Sequence, residues 1–340
     1  MSRIPRLSNV CIVIAIAFPF VVHAEQAPQA QGLTEAATTV VRSAALWRDR
    51  GNIGSLDLIY GAGGKEHQPG GTFTFVQEDT DGTQPKFEIV DQQGVRWKAK
   101  LGVESKSETA ATRLVWAAGY FTDEDYYLPE LRVEKMPKLG RGSEFVSANG
   151  VVHGVRLERS VDGQKKSGNW SWSKHPLAGT RELNGLRIMM ALMNNWDLKS
   201  TNNSIYEVPG EAPYYAVSDL GATFGKTGGA GAGRTKSRLD HYSSSKFIEE
   251  TELDEVDLTM KSRPIFLLAI VDPYHYLKLA GRAKVGKDIP RIHAKWLGQL
   301  LGQLSAEQIR DCFRAAGYSP QEVEGFAKVV QGRIAELNQL

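Results

Sequence analysis

Three chemistries are open to the stretch Tyr215 to Gly228, "YAVSDLGATFGKTG". Its Gly-Lys-Thr could close a phosphate-cradling loop on a helix N-terminus. Its Lys-Thr-Gly could serve acyl transfer beside a nucleophilic serine. Its Asp219, at the end of a strand-like run, could offer a hard carboxylate oxygen to a divalent cation. Each demands different residues elsewhere in the chain, and those residues decide between them.

A phosphate loop of the Walker type needs four residues between its first glycine and Gly-Lys-Thr. Only Ala222, Thr223 and Phe224 separate Gly221 from Gly225, and Thr227 is followed by Gly-Gly-Ala-Gly-Ala-Gly, which starts no helix. The acyl-transfer reading finds "SAN" at 147–149 and "KTG" at 226–228, but it needs a Ser-x-x-Lys nucleophile ahead of both. No serine before Ser147 has a lysine three places on, and the pairs Ser171/Lys174 and Ser243/Lys246 come too late.

The metal reading gains support upstream. In "NNWDLKSTNN" (194–203), Asp197, Lys199 and Asn202 fit the pattern Asp-x-Lys-x-x-Asn, and two strand-like runs then lead to Asp219-Leu220-Gly221. This order resembles the catalytic and metal loops of a protein-kinase-like phosphotransferase, with Asn195-Trp196 in place of the usual His-Arg. Further upstream, Lys98 and Lys100 lie in one alternating run and Glu108 opens the segment after it, as a kinase requires of its strand lysine and helix glutamate. Lys100 is preferred because "KLG" matches the strand end of atypical kinases. Lys98 stays in reserve, since both side chains project from one face.

The details resemble the divergent branch that includes HipA-type toxin kinases, phosphatidylinositol kinases and secretory-pathway casein kinases. The hairpin "EDTDGTQPK" stands where a Gly-x-Gly-x-x-Gly loop would be, and no Ala-Pro-Glu follows the metal loop. The resemblance covers residues 71–225. It implies ATP and Mg²⁺ or Mn²⁺ as cofactors, with Lys100 on the α and β phosphates and Glu108 holding that lysine. It implies Asn202 and Asp219 as metal ligands, Asp197 as the group that accepts or orients the acceptor's proton, and Lys199 as a support for the transferring phosphate. The acceptor, a hydroxyl on a protein, lipid head group or small molecule, stays open. So do two other readings: nucleotidyl transfer on the same fold, and a catalytically inactive exported binding or scaffold protein. Taken singly, Lys100 and Glu108 could be a surface pair worth at most about 1 kcal/mol, and Asp197, Asn202 and Asp219 could serve only as turn or strand ends.

Positioning these residues takes an α+β chain of two lobes, an antiparallel β-rich N-lobe (51–175) and a mostly helical C-lobe (176–340). "GTFTFVQED", "KFEIVD" and "VRWKAKL" alternate and are separated by turns, which predicts an antiparallel meander. Ser107 is the expected cap of a helix over 108–119, and strands are expected at "PELRVEKM" and "VVHGVRLERS". Thr180 is the expected cap of a helix over 181–195, strands follow at "NSIYEV" and "YYAVSD", and the chain beyond Pro264 reads as helices. Trp170 and Trp172 alternate as in a strand and read as packing residues, with an aromatic wall for a substrate as the alternative. The Gly-rich segment 225–238, with Lys226, Arg234, Lys236 and Arg238, reads as a mobile loop facing the substrate, with a plain solvated linker as the alternative.

Arg3 and Arg6, an apolar run from Val10 to Val22 and "VHA" at 22–24 predict a secretory signal peptide over 1–24. A poorly ordered leader is expected over 25–50. The mature chain then keeps 41 − 2 = 39 basic residues against 39 acidic ones. That balance calls for neither nucleic acid nor an anionic membrane as partner. Cys11 leaves with the signal, and Cys312 alone can form no internal disulfide. The expected location is therefore outside the cytoplasm, periplasmic or secreted, with no transmembrane span after signal removal. Scattered histidines make no zinc site.

Overall fold

The alternation of "RWKAKL" organises the first half of the molecule. The computed structural model describes residues 44–228, 233–260, 266–273, 277, 281–282 and 284–340. The expected signal peptide, residues 25–43 of the expected leader and parts of the run 261–283 lie outside these residues. Five strands form a closed barrel: β1 (Phe73–Asp79), β2 (Lys86–Asp91), β3 (Arg96–Leu101), β4 (Asp125–Glu134) and β5 (Val151–Arg159), in the order β1-β2-β3-β5-β4. Neighbouring strands are antiparallel except where Phe73 and Thr74 of β1 meet Val133 and Glu134 of β4 in parallel and close the ring. Trp97, Ala99 and Leu101 point into the barrel with Phe87, Ile89, Val155 and Leu157. Burial of each large side chain among these contributes about 2 kcal/mol. The period of two then turns Lys98 and Lys100 to the outer face, where β5 sets Glu158 opposite Lys98 and Arg156 opposite Lys100.

Helix α1 (Val103–Ala117) packs on that outer face. It starts earlier than the expected cap at Ser107, because Gly102 takes φ +85°, a conformation that glycine enters without a Cβ penalty, and turns the strand directly into the helix. Ser107 therefore lies inside the helix, where its hydroxyl donates to the Gly221 carbonyl at 2.7 Å. Helix α2 (Arg181–Leu192) does start at Thr180, whose hydroxyl accepts the Leu183 N–H at 3.3 Å. It ends before residue 195, as Asn194 enters the left-handed region at φ 54°.

A second sheet, in the order β6-β7-β8, contains β6 (Lys165–Gly168), β7 (Asn203–Glu207) and β8 (Tyr214–Val217). Its pairing joins residues 165–168 to the two strands that precede the Asp219 loop, so chain from both sides of residue 175 shares this sheet. Short elements follow: α3 (Leu239–Ser243), β9 (Ile248–Thr251), β10 (Glu255–Leu258), α4 (Phe266–Val271) and β11 (Ile289–Pro290). Helices α5 (Arg291–Leu301), α6 (Ala306–Ala315) and α7 (Pro320–Gln339) complete the chain. Phe224, Tyr242, Phe313 and Phe326 pack in their core, Phe224 edge-on to the other three and Phe313 stacked on Phe326. The architecture is α+β, strand-rich first and helix-rich after. Among the described residues no helix is long and apolar enough to cross a membrane.

Residues 44–50 correct the expected leader. Ala45 exchanges backbone hydrogen bonds with Pro213 and Tyr215, Leu46 is buried, and the Trp47 indole donates to the Ala118 carbonyl at 2.7 Å. Leu46 and Trp47 are large apolar groups, and their burial outweighs the Ala- and Thr-rich composition around them. Trp170 and Trp172 lie in a turn-rich segment and not in a strand. Trp170 is buried, packs edge-on to Trp172 at 4.7 Å and donates to the Ala216 carbonyl.

Candidate functional site

Lys100 leaves the end of β3 facing the first turns of α1, and the helix periodicity of four brings Glu104 and Glu108 to the same side. The Lys100 ammonium donates to Glu108 Oε2 at 2.6 Å and stands 3.6 Å from Glu104 Oε2. On its other side it lies 3.5 Å from Asp219 Oδ1. Glu108 also accepts the Leu220 N–H at 3.3 Å, so one carboxylate bridges the β3 lysine and the Asp-Leu-Gly loop. Lys98 takes no part in this. It lies 3.8 Å from Glu158, further along the same face.

Burial alone would push the Lys100 ammonium down, but Glu108 and Asp219 more than offset it and hold the group well above its ordinary value. For Asp219, burial pushes up while Lys100 and the Gly221 N–H pull down, and the net direction is below the usual carboxylate range. Burial wins at Glu108, where it outweighs Arg156 and Lys100 and lifts the carboxyl to about 7. Lys100 is therefore a fixed cation. Asp219, whose side chain is 38% exposed, is a carboxylate with one side open to solvent.

The second part of the site is the turn after α2. Asn195 Oδ1 accepts the Asp197 N–H at 3.1 Å, and the Asn202 amide donates to the Asp197 carbonyl at 2.8 Å, so the amides at both ends of the turn fix the backbone that carries Asp197. That bond uses the Asn202 nitrogen, so of its two amide atoms the oxygen is the one suited to a cation. The Asn202 carbonyl accepts the Ser218 N–H at 2.9 Å, which joins this turn to the residue before Asp219. The Asp197 carboxylate is paired with Lys199 at 2.7 Å and lies 3.9 Å from Arg282. The structure thus places Lys100, Glu108 and Asp219 in direct contact, joins Asn202 to Asp197 and Ser218, and pairs Lys199 with Asp197.

Some neighbours had no role in the sequence reading. Glu104, Glu108 and Asp219 each offer an oxygen within 4.8 Å of the others, a donor set suited to a divalent cation. Arg156 lies 3.7 Å from Glu108, and Lys236 pairs with Glu104. Lys100, Arg156 and Lys236 thus balance the three acids. Arg156 had a signal in the sequence, because Arg156 and Glu158 alternate with the apolar Val155 and Leu157. Lys236 stands in the Gly-rich segment expected to be mobile. Residues 229–232 lie outside the described residues, but the flanks are held: the Lys226 N–H donates to Thr235 Oγ1 at 2.8 Å, and Trp196 donates to the Thr235 carbonyl at 3.1 Å.

No family model matches the sequence, and no curated protein matches it. Among solved structures the chain is similar to the Helicobacter pylori proinflammatory kinase CtkA, at 9% identity over 80% of this chain and 98% of that one, with a TM-score of 0.45. It is similar to the Golgi casein kinase, at 11% identity over 79% of this chain and 71% of that one, with a TM-score of 0.36. The Golgi casein kinase with Mn/ADP bound gives 9% identity, the same coverage and a TM-score of 0.38.

Proposed function

We propose that the chain is an exported phosphotransferase that moves a phosphoryl group from ATP to a hydroxyl acceptor with the help of Mg²⁺ or Mn²⁺. The observation that carries this reading is the Lys100–Glu108 bond of 2.6 Å, made by a glutamate that also accepts the Leu220 N–H beside Asp219. A surface pair needs no such link to a metal-type loop. The nucleotide supplies the phosphoryl group, and the cation screens its charge. Lys100, kept charged and aimed by Glu108, binds phosphate oxygens. Asp219 and the Asn202 amide oxygen hold the cation, with Glu104 and Glu108 close enough to add a ligand. Asp197 takes the proton of the acceptor hydroxyl as its oxygen bonds to the γ-phosphorus. The bridging P–O bond breaks with its electron pair left on ADP. Lys199 neutralises charge beside Asp197.

The test is a thermal shift of the purified protein with ATP and Mg²⁺ or Mn²⁺, alongside Asp219→Ala. A metal-dependent shift that is absent in the variant is expected. No shift with any nucleotide and metal ends the proposal. Transfer of γ-labelled phosphate, without transfer of α-label, separates phosphoryl from nucleotidyl chemistry, and binding without either leaves an inactive binding module.

A further inference from the structure

Beside the Asp197 turn lies a cavity of about 890 Å³, within the usual range of small-molecule sites. Leu198, Lys199, Ser200 and Thr201 form one wall, so the turn that carries Asp197 also lines this space. The Trp172 ring forms part of another wall.

The charge of the lining is one-sided. Arg187, Lys199, Arg282 and Lys284 contribute to it, and no carboxylate does among the described lining residues. Arg187 is committed elsewhere: its guanidinium donates to the Val285 carbonyl at 2.7 Å and to the Lys284, Lys287 and Asn184 oxygens, with Asp288 as its nearby countercharge. Lys199, Arg282 and Lys284 remain, against the single carboxylate of Asp197, which leaves 3 − 1 = 2 positive charges. A phosphate monoester carries close to two negative charges at neutral pH.

Resting on the phosphotransfer reading above, we infer that this cavity is the acceptor site and that the acceptor is a small molecule carrying a phosphate monoester and a free hydroxyl. Its phosphate is held by Lys284 and Arg282, and its hydroxyl faces Asp197. A cavity of this size has room for a monosaccharide phosphate and for larger phosphorylated molecules. A neutral sugar would leave the cations without a counterion.

The probe is glucose 6-phosphate, with glucose as control, titrated calorimetrically into the full-length protein without nucleotide. Glucose 6-phosphate is expected to saturate at a dissociation constant of about 1 mM or tighter, and glucose is not expected to. Lys284→Glu is expected to weaken binding at least tenfold. Lys100→Ala is expected to retain it. The proposal is overturned by equal binding of glucose and its phosphate, by no saturation up to about 10 mM, or by loss of binding in Lys100→Ala, which would place the anion in the nucleotide cleft. Saturation by an acidic serine peptide in place of glucose 6-phosphate overturns it as well. The nucleotide thermal shift is read separately: sugar phosphate binding without that shift keeps the cavity and removes the phosphotransfer reading.

Discussion

Two charge clusters share helix α1 and the outer face of the barrel, and they differ in how completely they are closed. Behind the helix, Asp125 accepts from Thr112 at 2.9 Å, Arg113 at 2.6 Å and Arg156 at 2.7 Å, and its side chain is wholly buried. In front, Lys100, Glu104, Glu108 and Asp219 use the same residue types, yet Asp219 keeps 38% of its side chain in solvent. Arg156 belongs to both, reaching Asp125 with one nitrogen and Glu108 and Glu158 with another. A carboxylate whose lone pairs are filled by its own fold serves architecture. One that keeps an open side beside a fixed cation can still take a ligand.

The comparison breaks most directly at Asp125. We predict that Asp125→Ala, which leaves the buried Arg113 guanidinium without its carboxylate and takes one of three from Arg156, costs roughly 3–5 kcal/mol in urea unfolding. A loss under about 1 kcal/mol would show that the rear cluster is not architectural. Asp219→Ala should do the reverse. Its half-open position predicts a stability change within about 1 kcal/mol, and loss of its charge from the cleft predicts a fall in transfer rate of at least about 10²-fold. A variant that unfolds as readily as Asp125→Ala would erase the distinction between the clusters.

The pH dependence sharpens the same contrast. Glu108 is raised to about 7 in the fold, above its unfolded value, so the folded chain holds that proton more readily. As pH falls from 7 toward 4.5, this group therefore favours the folded state, while the Lys100–Glu108 pair loses its charge. We predict that the nucleotide-dependent thermal shift weakens as pH falls through about 7 without a matching loss of stability from this group. The profile should flatten in Glu108→Gln. A wild-type profile shared by that variant would remove Glu108 as its source.

What could be read in the sequence follows from the range of each signal. The alternation in "RWKAKL" is local, and it placed Lys98 and Lys100 on one face before any partner was known. The pattern "DLKSTNN" and Asp219 lie on either side of two short strands, so their proximity could be inferred from order alone. The choice between Lys98 and Lys100 needed more, because it depends on which outward position α1 covers. Arg156 and Asp125 escaped because their partners are set by strand register and helix packing across long stretches of chain. The start of α1 escaped because Gly102 caps by conformation and carries no side chain to announce it. Residues 44–50 escaped because two anchoring side chains stand in an otherwise small and polar segment.

Lys236 decides how far the front cluster extends. Its ammonium pairs with Glu104, and the Thr235–Lys226 backbone bond of 3.1 Å fixes the strand of chain it comes from. Both side chains are largely covered, at 21% and 8% exposure, and a pair of this kind contributes about 0.5–1 kcal/mol. We predict that Lys236→Ala costs little stability within that range. Its stronger effect should be on charge: without Lys236, three carboxylates within 4.8 Å of one another face only Lys100 and Arg156. Mn²⁺ should then bind a few-fold more tightly, about 1 kcal/mol by the usual conversion, in a calorimetric titration. The gain should vanish in Glu104→Gln/Lys236→Ala, because the charge that Lys236 balanced is gone. Unchanged Mn²⁺ affinity in the single variant would place Lys236 outside the electrostatic unit. The front cluster would then end at Glu104, and the Gly-rich segment would have no hold on the metal.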